Sequence, residues 1–252
     1  MVLAGICSSA LVGIWGYKAG QRILQQQIVA DLDSSGEVIE AQIQRDIAAT
    51  IRQMEKLAGV MAPYVGTRSV KILDEKLREA LEFNTHLLQL QLTDAQSTVL
   101  IELSLSGKID PRSRLASAFG LEGKSFASEP YIAPTFNKYV LNLNVPVRSA
   151  AGSVIGTMGA RYDLQEALLE LTRSSRFNQS GYAVVVNSDG RIIAHPNQER
   201  VNDDISSYEA VKRALRGEKG SISAVNKAGH EKLMFYRPSR VPHRSIRNRW
   251  RC

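Results

Sequence analysis

The chain has 252 residues and a mass of 27.8 kDa, enough for one or two domains that bury their own cores. Hydrophobic residues make up 44% and charged residues 23%, which excludes a globally disordered chain. The formal net charge is +7, but the segment 240–252 alone holds five arginines and no acidic residue. The basic charge therefore belongs to a tail, and it does not predict a nucleic-acid-binding face.

The reactive side chains form no recognisable catalytic or metal pattern. Only two cysteines occur, so neither a disulfide framework nor a cysteine-based zinc site is predicted. The four histidines are scattered, and Asp203-Asp204 is more typical of a solvated turn than of a metal site. A phosphate-binding glycine loop and a nucleophile elbow are both missing. We therefore predict no enzyme activity, no metal and no cofactor.

The N-terminal segment is apolar. Residues 2–17 carry no charge, and Trp15 and Tyr17 lie where an interfacial aromatic belt would be. As a helix these residues span about 24 Å, less than the roughly 30 Å of a bilayer core. We predict a transmembrane helix over 1–18 that lacks its first few residues. A cleaved signal peptide or a buried helix is the alternative.

A long helix is predicted next, over 19–62, with a weak point at Gly36 and an end at Pro63. Apolar residues recur along it at steps of three and four, from Ile28 to Met61. A stripe of this length predicts a homodimer through the helix. Replacing Ile43 and Ile47 with Asp is then expected to abolish dimerisation.

Further along the chain, the period of the hydrophobic pattern changes to two residues, which indicates strands. Alternating hydrophobicity over 88–92 and 99–103 predicts a hairpin, and Asp163 has the sequence context of a helix N-cap. The chain is thus predicted to be α+β, a long helix followed by two units of antiparallel strands. The remaining predicted elements are helices at 69–83, 164–173 and 206–216, and strands at 124–127, 139–147, 153–161, 181–187, 191–195, 221–225 and 232–236.

Four segments resemble a known family. Residues 128–132 (SEPYI), 140–147 (VLNLNVPV) and 152–159 (GSVIGTMG) are similar in order and spacing to the first module of the double Cache sensor domain. Residues 181–196 resemble its second module. The resemblance covers about residues 20–237 and is strongest to methyl-accepting chemotaxis proteins.

This resemblance implies a long N-terminal helix leading into two PAS-like modules with antiparallel sheets. It divides the chain into a transmembrane helix (1–18), a stalk and dimerisation helix (19–62), a membrane-distal module (63–165) and a truncated membrane-proximal module (166–237). The implied function is extracytoplasmic small-molecule sensing in a bacterial inner-membrane receptor, most similar to a chemoreceptor. The alternatives are the sensor of a histidine kinase or diguanylate cyclase, or a free-standing tethered binding module.

The C-terminal end departs from the family. After Tyr236 the family adds a strand and an apolar span, whereas residues 238–252 are basic and lack a strand pattern. We expect a shifted reading frame or a truncated fragment. The alternative is a true basic tail that contacts phospholipid head groups or nucleic acid.

The resemblance also implies a ligand site in the distal module. Amino-acid-binding members have an arginine that holds the ligand carboxylate, a tyrosine, and an aspartate that holds the ammonium group. Arg112 and Arg114 fall near the arginine position and Tyr131 matches the tyrosine, but Arg161 stands about where the aspartate belongs. We expect these four residues to bind a carboxylate or another anion rather than a zwitterionic amino acid. The alternative for Arg161 is a solvated strand residue.

Overall fold

The computed structural model describes residues 3–110, 121–174, 181–225 and 231–239. It begins with helix α1 (Leu3–Thr67), which is followed by helix α2 (Val70–Phe83). Among these residues, no helix combines the length and the apolar character that a membrane crossing requires. The transmembrane helix over 1–18 therefore stays a prediction, and the tail from Arg240 onward lies outside the described residues.

Helix α1 is longer than the sequence pattern predicts. It runs without a break through Gly36 and Pro63 and ends four residues after the proline. Pro63 removes one backbone hydrogen bond, but Met61 and Val65 on either side are buried in the hydrophobic core. Burial of these side chains outweighs the local cost, so the predicted helix end at Pro63 is wrong.

The segment 63–165, which the sequence predicts to be the membrane-distal module and which we call the distal module, contains one six-stranded sheet. Strands β1 (Leu87–Asp94) and β2 (Val99–Leu103) form the predicted hairpin. The last strand of the sheet in the chain, β6 (Val154–Asp163), lies at its centre, between β1 and β5 (Lys138–Arg148). Two short strands, β3 (Phe126–Ala127) and β4 (Tyr131–Ala133), complete the sheet. All pairings are antiparallel. The strand order is β2-β1-β6-β5-β3, and β4 also pairs with β5.

One face of this sheet is apolar and packs against α1. Leu90 of β1, Leu143 of β5 and Met158 of β6 are fully buried there. The C-terminal half of the α1 stripe, including Ile43 and Ile47, belongs to the same core. These residues therefore pack on the chain's own sheet, and the expectation that they form a dimer interface is wrong. The apolar side of a helix can be buried against a sheet of the same chain as well as against a second helix.

Helix α3 (Leu164–Ser174) starts directly after β6. Oδ1 of Asp163 accepts a hydrogen bond from the Glu166 amide at 3.0 Å, which confirms the predicted N-cap. The other carboxylate oxygen of Asp163 lies 2.6 Å from Nζ of Lys138. The cap is thus fixed to β5 as well as to its own helix.

Replacing this cap is expected to destabilise the domain. Asp163→Ala removes the acceptor for the helix N-terminus and should lower the free energy of unfolding by about 1–2 kcal/mol. Asp163→Asn keeps a capping oxygen and should cost less. Urea denaturation followed by circular dichroism measures both. Equal losses in the two variants would show that the cap hydrogen bond contributes nothing beyond the charge.

The segment 166–237, which the sequence predicts to be the membrane-proximal module and which we call the proximal module, contains only two-stranded sheets among its described residues. Strands β7 (Val185–Val186) and β8 (Ile192–Ala194) form one two-stranded sheet, and β9 (Gly220–Val225) and β10 (Glu231–Tyr236) form another. A short 3-10 helix (Gln198–Arg200) and helix α4 (Glu209–Leu215) lie between them in the chain. Both predicted hairpins are confirmed, although the predicted strand 181–187 is regular only over β7. The α+β fold with a long leading helix is confirmed.

Candidate functional site

The second face of the distal sheet is polar and yet buried. Side chains from β1, β5 and β6 point to it at alternate positions, because successive residues of a strand face opposite sides. The cross-strand register places Arg161 between Gln89 and Asn142. We call this surface the polar face. Its buried polar members are Gln89, Gln91, Thr93, Asn142, Asn144, Thr157 and Arg161.

An ion pair lies at the centre of the polar face. Nε of Arg161 is 3.3 Å from Oδ2 of Asp110, and their side chains are 2% and 0% exposed. The backbone amide of Asp110 also donates to Oε1 of Gln89 at 2.9 Å. An ion pair and a hydrogen bond therefore hold the segment that follows β2 against the sheet.

Tyr131 joins this pair to β5. Its hydroxyl oxygen is 2.8 Å from Oδ1 of Asn142 and 3.2 Å from Oδ2 of Asp110. Burial, above all, raises the pKa of Tyr131 to about 12, while the charge of Arg161 opposes that rise. The hydroxyl is therefore protonated at neutral pH and acts as a hydrogen-bond donor toward these acceptors.

Within the part of the chain that the structure describes, two buried donor groups of the polar face have no hydrogen-bond partner. These are Nη2 of Arg161 and Nε2 of Gln91. Gly159 is paired with Gln91 across the strands, and a methyl group added at Gly159 would lie 3.6 Å from Nδ2 of Asn144. Because buried donors without acceptors are costly, this pair of groups marks where a ligand acceptor would be stabilised.

The structure brings together two of the four predicted site residues. Tyr131 and Arg161 meet at Asp110, and the alternative that Arg161 is a solvated strand residue is wrong because it is buried. Arg112 and Arg114 lie outside the described residues.

Asp110, Gln89 and Gln91 are not among the site residues that the sequence predicts. The alternation Leu88-Gln89-Leu90-Gln91-Leu92 predicts a strand. It also shows that the non-leucine face of β1 carries two amides, which is a usable sign of a polar binding surface.

Two clefts lie outside the polar face. One, of about 320 Å³, is between the modules and is lined by Lys138, Tyr139 and Asn202, among others. The hydroxyl of Tyr139 donates to Oδ1 of Asn202 at 3.0 Å across this boundary. The other, of about 750 Å³, is between α1 and the β9–β10 hairpin. Neither contains the buried charges that the polar face presents.

Comparison with known proteins identifies the family. A family model described as the Cache domain matches residues 20–251. The chain belongs to the Cache domain family. This confirms the resemblance to the double Cache sensor domain.

Relatives of this Cache chain are chemotaxis receptors. The methyl-accepting chemotaxis protein PctB of Pseudomonas aeruginosa is 26% identical over 206 residues, which are 81% of this chain and 32% of that protein. The chain thus spans about one third of the length of this curated relative.

Solved structures show the same fold. The ligand-binding domain of Pseudomonas aeruginosa PctB in complex with L-Arg superposes with a TM-score of 0.56 at 23% identity, covering 80% of this chain and 84% of that one. The extracellular domain of the putative histidine kinase mmHK1S-Z2 has a TM-score of 0.57 at 19% identity, covering 82% and 90%. Solved domains with this fold therefore include parts of a chemoreceptor and of a putative histidine kinase.

Proposed function

We propose that the chain is the extracytoplasmic, small-molecule-sensing region of a bacterial chemoreceptor in the inner membrane. The family match and the relation to PctB over most of the chain support this assignment. The signalling part of such a receptor would be a further domain, because the chain corresponds to about one third of PctB. Ligand binding, rather than catalysis, is the proposed activity.

The ligand is proposed to be a carboxylate held on the polar face. The observation that carries this proposal is the buried Nη2 of Arg161, which has no acceptor among the described residues. Nε2 of Gln91, on the same face of the sheet, has none there either. A carboxylate supplies two acceptor oxygens and forms strong hydrogen bonds with a guanidinium group. Tyr131 and Asn142 provide further polar contacts at the same surface.

The carboxylates at the polar face already have partners, and this supports an anion over a zwitterionic amino acid. Asp110 is already engaged by Arg161 and Tyr131, and Glu102 accepts a hydrogen bond from Nε2 of Gln89 at 2.7 Å. An ammonium group would have to share one of these carboxylates with the donors that already bind it. A mono- or dicarboxylate without an amino group makes no such demand.

Thermal unfolding with a ligand panel tests this proposal. The panel contains short aliphatic mono- and dicarboxylates and the L-amino acids, and hits are titrated by calorimetry. At a concentration of about 100 times Kd, a ligand should stabilise the domain by about 2.7 kcal/mol. Tight binding of ordinary amino acids together with no binding of dicarboxylates would show the proposed specificity to be wrong.

A matched pair of variants locates the binding site. Gln91→Leu removes a side-chain amide whose Nε2 has no hydrogen-bond partner among the described residues, so the domain should stay folded while the affinity for the hit falls roughly tenfold. Gln96→Leu removes an exposed glutamine from the β1–β2 turn and should leave the affinity unchanged. Equal affinities in the two variants would place the ligand elsewhere.

A homodimer is proposed to form through α1, as in the initial expectation, but at a different surface. Ile23, Leu24 and Val38 lie on the outer side of α1 and are 65%, 59% and 61% exposed. Their apolar side chains are available to a second copy of the chain, unlike Ile43 and Ile47.

A further inference from the structure

The C-terminal hairpin meets α1 through a cluster of charges. The guanidinium group of Arg237, directly after β10, contacts three carboxylates of the helix. Its Nη2 is 3.1 Å from Oε2 of Glu40, and its Nη1 is 3.5 Å from both Oδ1 of Asp33 and Oε1 of Glu37. The spacing of four and three residues places these acids on one side of α1.

A second cation, from the other strand of the hairpin, reaches two of these carboxylates. Nζ of Lys219, the residue before β9, lies 2.6 Å from Oδ2 of Asp33 and 4.0 Å from Oε1 of Glu37. Gly220 pairs with Tyr236 across the strands, so Lys219 and Arg237 are neighbours at the open end of the hairpin. Both strand ends are therefore attached to one stretch of helix.

Apolar packing does not fill the space beside this cluster. The cleft of about 750 Å³ separates α1 from the hairpin there, and its lining includes Val29, Leu233 and Phe235. Side chains across an open cleft make few of the close contacts that stabilise a packed core. The ion pairs are thus the principal close attachment of the hairpin at this point.

The sequence of α1 is adapted to this contact at Gly36. A Cβ atom added at Gly36 would lie 3.0 Å from Cδ of Arg237, which is tighter than ordinary van der Waals contact. Glycine is unfavourable inside a helix because it loses more backbone entropy than other residues. Its presence at this position leaves room for the aliphatic part of the Arg237 side chain.

We infer that Arg237, Lys219 and the three carboxylates form an electrostatic latch that fastens the C-terminal hairpin to α1 and can open while the distal module stays folded. Ion pairs weaken as salt screens them, whereas the buried core of the distal sheet does not depend on them. The latch joins the first and the last elements of the domain. Its relevance to signalling rests on the proposed function, but its existence does not.

Hydrogen exchange in the full chain tests the latch. In Arg237→Gln, the amides of β9 and β10 should exchange roughly tenfold faster, because local opening becomes easier, while those of β5 and β6 keep their rates. Raising the ionic strength from about 0.05 to about 0.5 M should accelerate the same amides in the unmodified chain and much less in the variant. Arg200→Gln is the control, since Arg200 pairs with Asp203 within the proximal module.

A second pair of variants approaches the latch from the helix. Gly36→Leu should displace Arg237 and reproduce the faster exchange of β9 and β10. A Cβ atom added at Gly59 meets nothing within 4 Å, so Gly59→Leu should leave the exchange unchanged. Unchanged exchange in both Arg237→Gln and Gly36→Leu would overturn the inference. Equal acceleration in β5, β6, β9 and β10 would also overturn it, because Arg237 would then stabilise the whole domain.

Discussion

Arg161→Met is expected to lower the free energy of unfolding by about 3 kcal/mol or more, because it leaves a buried carboxylate without its cationic partner. Asp110 is fully buried and Arg161 is 2% exposed, so water cannot replace the lost interaction. Methionine is similar to arginine in length and fills much of the same volume. The expected loss is therefore electrostatic in origin, and urea denaturation followed by circular dichroism measures it.

Two further variants separate this effect from general damage to the fold. Arg52→Met removes an exposed arginine of α1 and should change stability by less than about 0.5 kcal/mol. Adding Asp110→Asn to Arg161→Met removes the buried negative charge and should recover part of the lost stability. A loss of less than about 1 kcal/mol in Arg161→Met would show that the pair does not organise the site.

Ile47→Asp is expected to unfold the domain rather than dissociate a dimer. Ile47 is 1% exposed and lies in the core between α1 and the distal sheet. Burying an unpaired carboxylate there, together with losing the apolar side chain, should cost more than about 4 kcal/mol. Circular dichroism and size-exclusion chromatography of the purified chain measure the outcome.

Val60→Asp is the matched control on the same helix. Val60 is 56% exposed, so an added carboxylate stays in water and should change stability by less than about 0.5 kcal/mol. If Ile47→Asp were instead folded and altered only the oligomeric state, the packing of α1 on the sheet would be wrong.

The architecture was largely predictable from the sequence because its elements carry local patterns. The alternation in β1, the capping context of Asp163 and the three-and-four spacing along α1 each depend on residues close together in the chain. The helix partner was not predictable in this way. Periodicity identifies the apolar side of α1, but the side chains of Ile43 and Ile47 pack equally well on a sheet or on another helix.

The site was harder to predict because its contacts are distant in sequence. Arg161 and Asp110 are 51 residues apart, and only the pairing of β6 with β1 and β5 brings them together. On an alternating strand, polar residues such as the glutamines of β1 usually face water. These glutamines are buried instead, because the polar face is covered, and this departure from the usual pattern is what marks it as a site.

The most direct test of the account is a crystal structure of the chain with the tightest carboxylate from the ligand panel. We expect ligand density on the polar face, with a carboxylate oxygen within hydrogen-bond distance of Nη2 of Arg161 and of Nε2 of Gln91. Density in the cleft between the modules, or beside the β9–β10 hairpin, with the polar face unchanged, would contradict the assignment of the site.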